Sequence, residues 1–287
     1  MTVVPPPRDP SPRSLHLLRD LRRIYDRRET IRFLTLSELK AGHRDRVLGH
    51  LWSILDPLFF MLVYFFVFGV LFRAMLGSRR PIDFMLYLFA GILVFRFVEG
   101  TASLATNCIR SNRGIIHEIA FPKAVFPIAI TLSRLYDFCW GLVVFVTSLL
   151  LAHVWPTVNY LWMPLLLVIT LIFAAGAALF VASLGAFFAD TSNIVTVAMR
   201  FLFYVSPVFY FVRDRGGHPA QLHNEVVRFW YLKNPVACLM ECYRDALLWG
   251  VPPQTSLLVY AAAFALVFWI VGFMVFSATE GHFAKYV

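Results

Sequence analysis

Charge is what this sequence has least of. Only 15% of its 287 residues are Asp, Glu, Lys or Arg, against 59% that are hydrophobic, which leaves too little polar surface for a water-soluble globule. Lysine is scarcest of all: Lys40, Lys123, Lys233 and Lys285 follow Leu39, Pro122, Leu232 and Ala284, so none stands in the Gly-Lys-Ser/Thr of a phosphate-binding P-loop. ATP hydrolysis by that motif is excluded. Cysteine is sparse and scattered, and Cys108, Cys139, Cys238 and Cys242 predict no disulfide framework. Cys238 and Cys242 lie one helical turn apart, but no His or carboxylate pair nearby completes a ligand set, and they read as small buried helix residues rather than a metal site. His218 and His223 read as residues of a wet outer loop. Nothing at depth supplies the paired acids, His–metal set or Ser nucleophile of an intramembrane protease or transferase.

What is abundant is apolar sequence, with a mean hydropathy of +0.69. A spanning helix needs about twenty mostly apolar residues, and six stretches qualify: 57–76, 84–106, 125–154, 160–188, 194–212 and 257–277. The chain is therefore expected to be an all-α membrane protein with six transmembrane helices. The formal net charge is +9, and eleven of the 26 basic residues precede Asp56. That distribution fits a cytoplasmic, lipid-facing end better than a nucleic-acid groove, because no aromatic-basic face recurs elsewhere. Residues 1–30 read as a basic Pro/Arg-rich cytoplasmic tail with no apolar core of a cleavable signal peptide. Starting inside, the six spans put both termini in the cytoplasm, residues 279–287 forming a second tail. The inner segments then carry roughly twice the basic residues of the outer ones, as orientation by Lys and Arg requires.

Two regions are more than anchors. In 31–56 apolar residues such as Phe33, Leu36, Leu48 and Trp52 recur at roughly helical spacing among charges, which suits an amphipathic helix lying in the interface plane. Asp56 and Pro57 are expected to form the hinge to the first span. The stretch 225–249, FWYLKNPVACLMECYRDALLW at its centre, is apolar but is cut by Asn234-Pro235. Pro cannot continue a helix but suits the first position of a new one, so two short re-entrant helices are expected before the last span. Non-helical backbone at that depth must be covered by protein or line a cavity. Asn234, Pro235, Glu241, Tyr243, Arg244 and Asp245 are therefore expected to form an outer gate segment.

Charge inside the spans is costly. An ionised side chain at a helix centre costs about 2.5 to 3.5 kcal/mol of insertion energy, whereas each large apolar residue returns about 0.3 to 0.6. Arg96 and Glu99 on the second span, and Arg134 and Asp137 on the third, are each spaced i, i+3 and fall at overlapping depths, roughly 8 to 18 Å from the cytoplasmic side. A four-residue charge network facing the bundle or conduit is expected.

The run RVLGHLWSILDP before the first span, the loop IRSNRGIIHEIAFPKAVFP between the second and third, and NPVACLMECYRDALLWG before the last resemble the permease subunit of bacterial type-2 ABC exporters for polysaccharides, the capsule, O-antigen and teichoic acid exporters of the cell envelope. The resemblance covers 32–287 and departs in the second span, where GILVFRFVEG replaces a frequent Trp or second Pro. It implies a homodimer in the bacterial inner membrane. It also implies a transmembrane domain over 57–278, and two copies of a separate nucleotide-binding subunit that carry the ATP and Mg. This chain is then a permease and no enzyme, moving a lipid-linked polysaccharide out of the cytoplasm. In such proteins the loop between spans two and three docks on the ATPase, which points to Ser111, Arg113, Ile116, His117, Glu118 and Phe121. Aromatic rings suit sliding contact with sugar rings, and Tyr64, Tyr87, Phe95, Tyr136, Trp140, Tyr204 and Tyr210 are candidate wall residues beside the four charges. An exporter of drugs or other lipids, and an ATP-independent channel or scaffold, are the competing readings.

Overall fold

Pro81 takes the first position of the helix that the rest of the bundle surrounds, where a missing N–H costs nothing. In this computed structural model, which describes residues 25–43, 51–67, 81–118, 121–213 and 231–283, that helix runs Pro81–Ala105. The elements in chain order are α1 (Arg28–His43), α2 (Trp52–Tyr64), α3 (Pro81–Ala105), α4 (Cys108–Ser111), α5 (Arg113–Glu118), α6 (Val125–Leu151), α7 (Met163–Phe187), α8 (Thr191–Val205), α9 (Pro235–Tyr243) and α10 (Thr255–Thr279). No strand occurs among the described residues. Among the described residues, three helical stretches are by length and composition apolar enough to cross a membrane: Val125–Leu151, Val158–Phe187 and Thr255–His282.

The layers follow from burial. From Phe84 to Val98 every residue of α3 is buried except Arg96, because α6, α7 and α9 cover its faces. The most extensive helix pair is α7 with α10. Gly176 and Gly272 meet there, and a Cβ on Gly176 would sit 2.6 Å from the Trp269 Cα, so the two backbones touch where neither residue has a side chain. The outer faces of α8 and α10 expose Ile194, Val197, Phe201, Val259 and Val267, a surface that suits lipid rather than water.

Several boundaries differ from expectation. Pro57 lies inside α2, which starts at Trp52, so Asp56 and Pro57 sit within one helix and not at a joint between two. Near a helix start the lost Pro N–H removes little, and the chain continues through it. The stretch 194–212 is not one helix: α8 stops at Val205 and residues 206–213 are non-helical. The cause is Pro207, which disfavours helical backbone at Ser206; Ser206 is extended, with φ −81° and ψ 146°. Residues 44–50 of the expected interfacial helix, the first part of the expected re-entrant pair (225–230), the two tails at 1–24 and 284–287, His218 and His223, and the side chains of Tyr64, His117 and Glu118 lie outside the described residues.

Candidate functional site

The chain between Tyr231 and Trp249 is built from its Asn-Pro outward. Asn234 caps α9: its Oδ1 accepts from the Val236 N–H at 3.0 Å, and Pro235 occupies the first helical position. The Asn234 Nδ2 also donates to the Ser206 Oγ at 2.9 Å, tying the start of α9 to the break after α8. The end of α9 loosens into a π-turn, Arg244–Leu248, and this wider turn brings Arg244 and Asp245 inward with Glu241. All three are at most 2% exposed.

Four charges then meet in an apolar interior. Arg244 donates from Nη1 to the Glu241 Oε1 at 2.7 Å and to the Pro207 carbonyl at 2.8 Å, and from Nε to the Tyr87 carbonyl at 3.1 Å. Its guanidinium lies 3.4 Å over the Tyr87 ring. Arg213 pairs with Asp245 at 2.9 Å and approaches Glu241 at 3.8 Å. Two arginines against two carboxylates leave the cluster neutral. Burial without such compensation would cost several kcal/mol per ion. The cluster also serves the break after α8, where backbone groups lack helical partners: the Pro207 carbonyl takes Arg244, and the Tyr210 carbonyl takes the Tyr87 hydroxyl at 2.9 Å. Gly91 makes the approach possible, since a Cβ there would collide with the Arg244 Nη2, which has no hydrogen-bond partner among the described residues.

Of the residues expected in the outer gate segment, Glu241, Arg244 and Asp245 share one ion cluster, whereas Asn234 and Pro235 form the start of α9. Sequence reasoning missed Arg213 and Pro207. The signal was available in Pro207, which carries the same instruction to stop a helix as Pro235. Tyr243, also of that segment, is buried, with its hydroxyl 3.4 Å from the Thr170 Oγ1. Two candidate wall residues are corrected: Tyr87 and Phe95 are core. Tyr87 is held between Arg244 and Phe211, and Phe95 packs edge-on against Phe203 at 5.0 Å. Tyr136 and Trp140 are half-buried in mutual edge contact at 6.2 Å, Tyr204 is 65% exposed, and Tyr210 is half-buried against Tyr231.

A second charged region is open. Between α2, α3 and α6 lies a cleft of about 550 Å³ whose lining includes Arg96, Glu99, Arg134 and Asp137 together with Trp52 and Asp56. The four expected network residues thus share one space, but their pairing is local. Arg134 bridges Asp137 one turn along α6 at 3.0 Å, and Asp137 accepts from the Ser53 hydroxyl at 2.8 Å. Arg96 turns to the Phe60 ring, 3.9 Å from its centroid.

The third region surrounds α4 and α5. Ser111 and Arg113 are exposed, while Ile116 is 6% exposed and packs with Cys108, Ile109, Phe276 and Phe283. Ile116 is therefore corrected from a contact residue to an anchor. Its neighbour Ile115, turned by about 100°, is exposed. Phe121 stacks obliquely on Phe126 at 5.4 Å. The Lys123 N–H donates to the Glu280 carboxylate, and the Lys123 Nζ to the Glu280 carbonyl at 3.1 Å, so the end of α10 clasps the start of α6. Burial holds the Lys123 ammonium below the ordinary lysine range, against the opposing pull of Glu280.

Among the described residues, an all-helical bundle with three helices long and apolar enough to cross a membrane has the build of a multi-pass membrane protein. The family model described as ABC-2 type transporter matches residues 29–248, and the chain belongs to that family. It is similar to an O-antigen export system permease protein RfbA of Myxococcus xanthus, 26% identical over 94% of this chain and 99% of that one. It is also similar to an RfbA permease of Klebsiella pneumoniae, 24% identical over 88% and 92%, and to the polysialic acid transport protein KpsM of Escherichia coli, 24% identical over 88% and 93%.

Proposed function

We propose that this chain is the transmembrane subunit of an ATP-driven exporter that moves a lipid-linked polysaccharide from the cytoplasm across the bacterial inner membrane. The observation that carries the reading is co-linearity: permeases named for O-antigen and polysialic acid export align over nearly their whole length with nearly the whole of this chain. Those names cover different sugars, so the shared property is the class of cargo.

The assembly in this reading is a homodimer with two copies of an ATPase subunit. Since no lysine here stands in a P-loop, energy must arrive by contact, and α4–α5 is the contact we assign, through Ser111, Arg113 and Ile115. Six spans follow if α2, α3 and α8 cross together with α6, α7 and α10. The α8 helix has 15 residues, about 22 Å of rise against a core of about 30 Å, so its non-helical continuation at 206–213 would complete the crossing. Such backbone is tolerated at depth only under protein cover, which the Arg244 and Tyr87 hydrogen bonds supply. With α4–α5 facing the cytoplasm, both termini lie there and α9 lies toward the outside.

Deleting the chain in its host is expected to abolish surface glycan and to accumulate it inside, and the purified subunit is expected to bring an ATPase with it. Normal glycan display alongside a co-purifying ATPase would favour a drug or lipid exporter. Absence of any ATPase would favour a channel or scaffold.

A further inference from the structure

Among the described residues, the cleft between α2, α3 and α6 gathers five charged side chains of which only Arg134 and Asp137 form an ion pair. Arg96 and Glu99 are one turn apart on α3 and do not bridge; Arg96 rests on Phe60, while Glu99 and Asp56 have no hydrogen bond or ion pair among the described residues. Charges in a membrane bundle ordinarily pair with one another unless they face water or a ligand. Among the described lining residues the charges are Arg96 and Arg134 against Asp56, Glu99 and Asp137, an excess of one negative charge. The Arg134 Nε is buried and has no partner. Trp52, half-buried, supplies an aromatic surface at the same opening.

We infer that this cleft is a saccharide subsite that accepts neutral, hydroxyl-rich sugar units and disfavours acidic ones. Each sugar hydroxyl both donates and accepts, so it can satisfy the Glu99 and Asp56 carboxylates and the Arg96 and Arg134 nitrogens at once. A carboxylated or phosphorylated sugar would add negative charge to a space already negative, and in a low-dielectric bundle that repulsion is weakly screened. The volume, about 550 Å³, lies within the roughly 300–1,000 Å³ of small-molecule sites. The inference rests on the exporter reading and refines it: the cargo of this chain is a neutral glycan, in contrast with the polysialic acid named for one of its relatives.

The test uses the complex of this chain with its ATPase in lipid nanodiscs, titrated with a neutral glucan hexamer and with a sialic acid hexamer. The intact complex is expected to bind the glucan and not the sialic acid oligomer. The double variant Asp56→Asn, Glu99→Gln keeps shape and removes two charges; it is expected to lose glucan affinity about tenfold or more and to admit the sialic acid oligomer. Trp52→Phe, which leaves the charges in place, is expected to weaken glucan binding while leaving the exclusion of sialic acid intact. Glucan binding unchanged in the double variant, or tighter sialic acid than glucan binding by the intact complex, would overturn the inference. So would failure of the glucan to bind a complex that still displays glycan in cells, and that result would leave the exporter reading standing. Loss of the exporter reading is recognised separately, by normal surface glycan when the chain is deleted.

Discussion

Two sets of charges share this apolar bundle and obey opposite rules. At the end of α9, the buried Glu241, Arg244 and Asp245 and the largely covered Arg213 are neutral in sum and bonded to one another and to the carbonyls of Tyr87 and Pro207. Between α2, α3 and α6, the cleft charges are partly exposed, negative in sum and only partly paired. The first set completes the protein's own backbone, standing in for the helical hydrogen bonds that Pro207 removes. The second set has capacity left over. In a membrane protein the difference between satisfied and unsatisfied charge separates groups that hold the fold from groups that await a ligand.

The sharpest way to break this contrast is to remove the centre of the closed set. Arg244→Leu leaves Glu241 without its closest partner and the Pro207 carbonyl without its donor, and is expected to destabilise by about 3–5 kcal/mol, read as a lower unfolding midpoint of the purified subunit and less of it in membranes. A subunit of unchanged stability would show that the cluster is ornamental. Gly91→Ala pushes a methyl against the same guanidinium and is expected to cost about 1–3 kcal/mol by overpacking. In the double variant Gly91→Ala, Arg244→Leu that penalty should vanish, because the group it meets is gone. An additive cycle would mean that Gly91 serves another contact.

In the open set the same kind of change should barely register in stability. Arg134 and Asp137 are 30% and 25% exposed at the side chain, so Asp137→Asn is expected to shift stability by no more than about 1 kcal/mol, while lowering surface glycan per subunit. The α4–α5 loop supplies a finer control: a cysteine at Ile115 is expected to crosslink to the ATPase, and one at the buried Ile116 is not. Equal crosslinking at both would contradict the burial of Ile116.

Much of this was legible in the sequence, for physical reasons that differ by element. The helical bundle follows from apolar runs of sufficient length, and the start of α9 from Asn-Pro, a local signal that needs no tertiary knowledge. That Arg96, Glu99, Arg134 and Asp137 share one space followed from i, i+3 spacing and depth arithmetic. Their pairing did not, because rotamers choose among neighbours that sequence does not rank: Arg96 takes Phe60 and leaves Glu99. The link of Arg213 to Asp245 joins residues 32 apart across a break that was read as continuous helix. Tyr87 and Phe95 looked like wall residues because an aromatic ring in a span carries no mark of which face is covered. Ile116 and Ile115 are chemically identical, and only the burial of Ile116 in the cluster that also holds Phe276 and Phe283 tells anchor from contact.

One comparison tests the central claim most directly: the amount of subunit in membranes and the surface glycan displayed per subunit, measured side by side for Arg244→Leu and for Asp56→Asn, Glu99→Gln. The account predicts that Arg244→Leu lowers the amount, whereas the cleft variant accumulates normally and displays less glycan per subunit. A cleft variant that is present at the normal level and exports normally would contradict it.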